Sequence, residues 1–117
     1  MKKNYFFLLF TACILLACAP SQILKTSLRV TVLDELGNPV EGASILLYGN
    51  ESDYRSSKNP VVPKAVTNNK GIAKISELEP KSYFIDVRKG DMNNFGGGIQ
   101  TDTLQASRIN KINVVIE

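Results

Sequence analysis

The alternation of apolar and polar side chains in short segments constrains the fold of this 117-residue chain more than any other feature of its sequence. In the first such segment Leu28, Val30 and Val32 fall on one face, while Arg29 and Thr31 fall on the other. This period of two is that of a β-strand with one buried face. Such strands must cover their apolar faces with a second sheet, so the pattern favours an all-β domain of two packed sheets.

Turn-forming residues separate seven such segments. Gly37 and Pro39 end the first one, because glycine accepts positive φ and proline has no N–H to donate to a strand ladder. No helical stripe appears after residue 26, and the span 50–64, which contains Pro60 and Pro63, is predicted to be a long loop. The first predicted strand begins at Ser27, and the other six are Ala43–Tyr48, Ala65–Thr67, Ile72–Ile75, Tyr83–Arg88, Ile99–Leu104 and Asn110–Ile116. We therefore expect a seven-stranded antiparallel β-sandwich of the Ig-like Greek-key type.

The first 17 residues form a leader that precedes this domain. Lys2 and Lys3 give the leader a positive start, and the apolar stretch Tyr5–Leu16 follows. This stretch is shorter than the roughly 20 apolar residues that a transmembrane helix needs. The segment Leu15–Cys18 resembles the bacterial lipobox, a branched apolar residue and small residues followed by cysteine. That resemblance implies cleavage before Cys18 and attachment of a diacylglyceryl group to its sulfur.

The leader divides the chain into a signal peptide over residues 1–17, a lipidated N-terminus and tether over 18–26, and the β-sandwich over 27–117. Cys13 is a rival lipidation site, but its flanking residues match the lipobox less well and its use would shorten the apolar region. Lipid on Cys18 would hold the domain at a membrane, since several acyl chains anchor stably where one is marginal. Residues 19–22 carry no acidic side chain of the kind that some lipoprotein sorting signals use. We therefore expect the lipid to anchor the domain to the periplasmic face of the outer membrane.

Composition excludes several classes of function. Both cysteines, Cys13 and Cys18, precede the domain, so no disulfide can staple it. The chain lacks histidine and tryptophan, which removes the commonest general base and metal ligand and a strong sugar-stacking side chain. Without Lys2 and Lys3 the 14 basic residues fall to 12 against 11 acidic ones, and no basic run indicates nucleic-acid binding. We expect neither an enzyme nor a metal or cofactor site.

Two blocks of the domain resemble the carboxypeptidase regulatory-like family. The first block surrounds the turn after the first strand, and the second includes a later turn and a tyrosine-bearing strand. The matching residues are Val32, Asp34, Gly37, Asn38, Pro39, Val40, Gly42, Ala43, Ile45, Thr67, Asn69, Gly71, Ala73, Ile75, Leu78, Pro80 and Tyr83. The family often has glycine after the proline, whereas this chain has Lys81 and Ser82. The resemblance implies a transthyretin-like sandwich with an accessory role, in which we expect Tyr83 to pack with its hydroxyl bonded to nearby backbone.

Two long loops are the candidate binding regions, because loops on a rigid scaffold often carry function. If each strand crosses the sandwich once, the span 50–64 lies on the tether side and the span 90–98 projects away from the membrane. The candidate contacts of this distal loop are polar or aromatic: Asp91, Asn93, Asn94 and Phe95. We predict that the loop meets a protein partner of the envelope, and that replacing its residues with Gly and Ser leaves folding intact.

The leading function is a non-enzymatic, lipid-anchored accessory or protein-interaction module, which we expect to be a monomer. The alternative is a carbohydrate-binding module of the cell envelope, in which loop side chains supply oxygen atoms or aromatic faces. Two loop sets could serve a glycan or calcium, although neither spacing matches a dedicated loop motif. The first set is Glu51, Asp53 and Tyr54, and the second is Asp91, Asn93, Asn94 and Phe95.

An internal isopeptide bond of the kind found in collagen-adhesin B-type domains is a further possibility. It would join a first-strand lysine to a last-strand asparagine beside a buried carboxylate. Asn113 and Glu77 are available for two of these roles, but the turn signature puts Val32 at the lysine position and Lys25 precedes the alternating strand. The pattern therefore disfavours this bond.

Overall fold

The computed structural model describes residues 25–117, which fold into two β-sheets packed face to face. The leader, Cys18 and all of the tether except its last two residues lie outside the described residues. What the sequence predicts for them remains a prediction. Within residues 25–117, no helix has the length and apolar character needed to cross a membrane.

Seven strands and one helix form within the described part of the chain. In chain order they are β1 (Ser27–Leu33), β2 (Ser44–Tyr48), α1 (Glu51–Ser56), β3 (Ala65–Val66), β4 (Ile72–Ile75), β5 (Phe84–Lys89), β6 (Met92–Asn93) and β7 (Ile109–Val115). The three-stranded sheet has the order β4–β1–β7, and the four-stranded sheet has the order β3–β2–β5–β6. Both sheets combine strands that are distant in sequence, so the fold depends on long-range pairing.

The strands β1 and β7 pair in parallel, with Ser27 opposite Ile109 and Leu33 opposite Val115. The other strand pairs of the described sheets are antiparallel, so the prediction of a wholly antiparallel sandwich is wrong here. Paired residues share a face of the sheet in parallel and antiparallel ladders alike. The alternation in β7 therefore indicates which side chains are buried but not the direction of the partner strand.

The predicted sixth strand, Ile99–Leu104, is not a strand in the structure. Gln100 forms an isolated bridge with Phe84, and the N–H of Thr101 donates to the carbonyl of Tyr83 at 2.8 Å. The hydroxyl of Thr101 then accepts the N–H of Tyr83 at 3.0 Å. Because the side chain of Thr101 replaces the next backbone partner, the ladder does not extend beyond this bridge. The two-residue β6 pairs with the other end of β5, at Arg88 and Lys89.

The helix α1 lies within the span predicted to be a loop. Asn50 caps its start, since the side-chain oxygen accepts the N–H of Asp53 at 2.9 Å. Ser57 ends the helix in the left-handed conformation, with φ of 53°, and its N–H bonds to the carbonyl of Tyr54. The loop prediction is wrong for these six residues, because so short a helix has too few turns to show an apolar stripe.

The core lies between the sheets and is made from the apolar positions of the alternating segments. Leu28, Val30 and Val32 are fully buried, as the alternation predicts. The other core residues are Val40, Ala43, Ile45, Leu47, Ala73, Ile75, Leu78, Tyr83, Ile85, Val87, Leu104, Val114 and Ile116. Burial of these apolar side chains is the main term that stabilises the sandwich.

Gly71 and Tyr83, two of the positions that carry the family resemblance, serve turn geometry and packing. Gly71 has φ of +74°, and a Cβ there would lie 2.7 Å from the carbonyl oxygen of Val32. The hydroxyl of Tyr83 accepts the N–H of Glu79 at 2.9 Å, and its ring is buried. The expectation for Tyr83 is therefore confirmed.

Candidate functional site

An open cleft of about 300 Å³ lies on the outer face of the four-stranded sheet. Its lining combines aromatic and charged side chains: Tyr54, Arg55, Ser57, Asp86, Arg88 and Phe95. Three of these residues belong to α1 or its end, two to β5, and one to the segment after β6. We call this site the α1 cleft.

Alternation along β5 sets the floor of the α1 cleft. Ile85 and Val87 are buried in the core, so Asp86 and Arg88 point to the outer face of the sheet. Asp86 is nevertheless only 6% exposed. The α1 segment covers this part of the sheet, and the cleft is therefore built around a buried carboxylate.

An aromatic cluster holds α1 on the sheet. The ring of Tyr54 packs edge-on against Tyr48, with 6.0 Å between centroids, and lies 5.6 Å from the ring of Phe84. Tyr48 is 1% exposed although it is on the outer face of β2, because the helix covers it. Burial, and next the charge of Asp86, raise the pKa of the Tyr54 hydroxyl, so this group stays neutral at physiological pH.

The guanidinium of Arg88 joins the acidic floor to the aromatic wall. Its Nε donates to Asp86 at 2.9 Å, and its central carbon lies 4.8 Å from the ring centroid of Phe95. The hydrogen bond to Asp86 is the main cause that raises the pKa of Arg88. Arg88 is therefore fixed by an ion pair and a cation–π contact together.

The predicted interaction loop divides into buried and accessible residues. The side chain of Asn94 is 1% exposed; it accepts the N–H of Val87 at 2.9 Å and donates to the carbonyls of Ile85 and Gly98 at 2.9 and 3.0 Å. These bonds fold the loop back along β5. The bonds of Asn94 argue against the expectation that this loop can be replaced without effect on folding, because a replacement there would leave three backbone groups without this partner.

The other candidates of that loop are more accessible. Asp91 is exposed, and Phe95 is 50% exposed at the rim of the cleft. Asn93 belongs to β6, where its backbone pairs with Glu117 and its side chain accepts the N–H of Phe95. Of the four predicted contacts, Phe95 lines the α1 cleft.

In the first set of candidate glycan or calcium ligands, Glu51, Asp53 and Tyr54, the two acidic side chains are used within α1. Glu51 accepts from Arg55 Nε at 2.8 Å, and Asp53 accepts from the side chain of Asn50 at 3.1 Å. Across residues 25–117 no group of three or more Asp, Glu, Cys or His side chains is placed to hold a metal ion. Tyr54 is the residue of this set that lines the cleft.

The two predicted loops meet at one site, although strand alternation predicts opposite ends of the sandwich. The α1 segment folds back over the outer face, and Asn94 draws the second loop along β5, so Tyr54 and Phe95 line the same cleft. Sequence reasoning missed Arg55, Ser57, Asp86 and Arg88 as site residues. The available signal was that Asp86 shares the outward face of its strand with Arg88.

The residues considered for an isopeptide bond do not come together. Asn113 is exposed on β7, and Val32 is fully buried. Glu77 pairs with Lys25 at 3.4 Å, with both side chains largely exposed. The geometry gives no support for this bond.

No family model and no curated protein matches the sequence. Solved structures do share its fold. The major pilin subunit BcpA of Bacillus cereus matches 80% of this chain with 30% of its own, at 18% identity and a TM-score of 0.56. The group B streptococcus pilus 2b backbone protein matches 79% with 40%, at 14% identity and a TM-score of 0.51. Chlorocatechol 1,2-dioxygenase from Pseudomonas putida matches 84% with 63%, at 14% identity and a TM-score of 0.51.

The fold is a two-sheet β-sandwich. At such low identity the likeness shows the fold alone, and these proteins include pilus subunits as well as an enzyme. The chain spans less than two thirds of each of them. Function must therefore be argued from the chain's own site.

Proposed function

We propose that this protein is a lipid-anchored, non-enzymatic accessory module of the bacterial envelope that binds another envelope protein through the α1 cleft. The observation that carries the proposal is the meeting of Tyr54 and Phe95 over the buried Asp86. Aromatic and arginine side chains around a desolvated centre are typical of protein-binding hot spots. The resemblance of Leu15–Cys18 to the lipobox supports the anchor, and the pilus subunits that share the fold support an envelope location.

The charges of the α1 cleft indicate what a partner would present. Arg55 is held by Glu51 at 2.8 Å and Arg88 by Asp86 at 2.9 Å. Each guanidinium has five N–H donors, so donors remain after these bonds. Because the two arginine side chains are already held by these bonds, they lose less conformational entropy when a partner binds. We expect the partner to offer carboxylate or backbone carbonyl groups next to an apolar side chain that contacts Phe95.

Carbohydrate binding is the alternative function, supported by the two aromatic rings in the cleft. It is the weaker candidate, because Tyr54 already packs against Tyr48 and Phe84, and one face of Phe95 is covered by Arg88. Tyr48 and Tyr83 are buried, so a sugar cannot contact them. Among these three tyrosines, only the fluorescence of Tyr54 could change through direct contact with a sugar. Saturable quenching that the variant Tyr54→Phe abolishes, together with hits on a glycan array, would favour this alternative.

Site-specific crosslinking tests the protein-binding proposal. A photoreactive phenylalanine analogue at position 95 should capture a defined envelope protein in cells, whereas the same group at position 36 should not. Leu36 is a suitable control because it is 86% exposed and does not line the cleft. Phe95→Ala should lower capture from a neighbouring position such as Ser57 by roughly tenfold, the effect of one moderate hot-spot residue. Equal capture from positions 95 and 36 would contradict the proposal.

A further inference from the structure

Three cations form a row across the outer face of the three-stranded sheet. Arg29 on the central strand β1 lies opposite Lys74 on β4 and opposite Lys111 on β7. All three side chains are exposed. Adjacent strands are about 4.8 Å apart, so the three chain positions fall within roughly 10 Å. We call this feature the cationic row.

Within the three strands, the face that carries the cationic row has no acidic side chain. The other outward residues of these strands are uncharged: Ser27, Thr31, Leu33, Ile72, Ile109, Asn113 and Val115. None of the three cations takes part in the salt bridges that the structure records between residues 25 and 117. Like charges directly opposite one another destabilise a sheet, so the isolated domain gains nothing in stability from this arrangement.

Protection of sheet edges does not explain the cationic row. Lysines on edge strands discourage pairing with other chains, and this accounts for Lys74 on β4 and Lys111 on β7, which are the edges of the sheet. Arg29 lies on the central strand, where there is no free edge to protect. A ligand that meets all three charges together accounts for the whole row.

The row lies at the end of the sheet where the tether enters. Arg29 is the third residue of β1, about 7 Å along the strand from Ser27. The next outward row holds Ile72, Thr31 and Asn113, and it carries no charge. Nine positions separate Cys18 from Ser27, and a random chain of that length spans roughly 15 Å, so a bilayer that held Cys18 would be within reach of the row.

We infer that the cationic row docks the domain, three-stranded sheet downwards, on an anionic phospholipid surface. The inference rests on the proposed lipid anchor for the nearness of that surface, and on charge complementarity for the face that meets it. Basic side chains near an anionic membrane are attracted to it, and the attraction falls off within a Debye length. Docking in this orientation leaves the α1 cleft, on the outer face of the other sheet, directed away from the bilayer.

Lysine footprinting tests the docked orientation without a reporter group. The full-length protein recovered from cell membranes is mixed with vesicles of phosphatidylcholine, with or without phosphatidylglycerol, and treated with a water-soluble acetylating reagent. Mass spectrometry should show Lys74 and Lys111 protected in the anionic vesicles, and not in neutral vesicles or at high salt. Lys58 and Lys70 should react equally in all samples and serve as internal controls. Similar rates at Lys74 and Lys58 in anionic vesicles would overturn the inference.

The variant Arg29→Gln supplies the matched test of the row itself. Removing one of the three charges should shift the equilibrium between docked and free protein about fivefold towards the free protein. The protection of Lys74 and Lys111 reports this shift. Lys70→Gln, which removes one charge from a turn, should leave their protection unchanged. Equal effects of the two variants would show that net charge alone acts, and would overturn the inference.

The peptides analysed by mass spectrometry also separate this inference from the proposed anchor. The peptide that contains Cys18 reports by its mass whether lipid is attached. A lipidated protein without protection of Lys74 and Lys111 would disprove docking while the anchor stands. An unlipidated protein that still shows anion-dependent protection would disprove the anchor while docking stands.

Discussion

At the scale of single residues, the amide of Asn94 joins three backbone groups from two segments of the chain. It satisfies the N–H of Val87 and the carbonyls of Ile85 and Gly98 while it is almost fully buried. Buried backbone groups need such partners, because an unpaired one loses the hydration it had in the unfolded chain. One side chain thus decides the path of a loop whose composition suggests only flexibility.

The variant Asn94→Ala should lower the free energy of unfolding by about 2 to 4 kcal/mol, because it leaves more than one buried backbone group without a partner. Urea unfolding followed by circular dichroism measures the effect. Asn113→Ala, a change at an exposed position of β7, should stay within about 0.5 kcal/mol of the wild type. Equal losses in the two variants would show that the hydrogen bonds of Asn94 do not hold the loop.

At the scale of secondary-structure elements, α1 owes its position to packing against the four-stranded sheet. Six residues are too few to form a stable helix alone. The rings of Tyr54, Tyr48 and Phe84 supply the contacts that keep it in place. Docking of α1 is therefore coupled to the neutral form of the Tyr54 hydroxyl.

The pH dependence of stability should report this coupling. Burial raises the pKa of Tyr54 above its ordinary value of 10.0, so folding favours the protonated hydroxyl. Its contribution is fully present below pH 10 and is lost as pH rises through the folded-state value. The difference in free energy of unfolding between wild type and Tyr54→Phe should be constant up to about pH 9.5 and then shift in favour of the variant. A difference independent of pH up to 11.5 would contradict a raised pKa.

The cationic row should lower the stability of the three-stranded sheet in the free protein. Lys111→Glu places a carboxylate directly opposite Arg29 and should raise the free energy of unfolding by roughly 0.2 to 1 kcal/mol. The matched change Lys70→Glu, in a turn, should have a smaller effect. Thermal unfolding at low and at 0.5 M salt measures both variants. The gain from Lys111→Glu should shrink at the higher salt, and a gain that persists there would argue against an electrostatic cause.

At the scale of the whole molecule, sequence patterns predict the layers better than the connections between them. Alternation in Leu28, Val30 and Val32 identifies a buried face, because the pattern that marks that face lies within the strand itself. The direction of β7 and the meeting of Tyr54 with Phe95 depend on chain segments far apart in sequence, and no local pattern records them. Asp86 was visible only as an outward residue of its strand, because the α1 segment that buries it is too short to predict.

The lipid anchor is testable on the whole protein. Cys18→Ser should abolish the lipid mass on the N-terminal peptide and move the protein out of the detergent-soluble membrane fraction. Cys13→Ser should leave both unchanged, because that cysteine lies within the predicted leader. A lipidated product from the Cys18→Ser variant would assign the modification to Cys13 instead.

The parallel pairing of β1 with β7 also dictates when the domain can assemble. Ser27 finds its partner Ile109 only 82 positions later (109 minus 27), and such non-local parallel contacts form slowly. Until the C-terminal strand arrives, one side of β1 has no hydrogen-bonding neighbour. If the chain is exported from its N-terminus, as the leader sequence predicts, β1 lacks this partner until β7 has also crossed. The chain then stays in the unfolded state that a secretion channel can thread, and the two strands must pair before another chain binds the free side of β1.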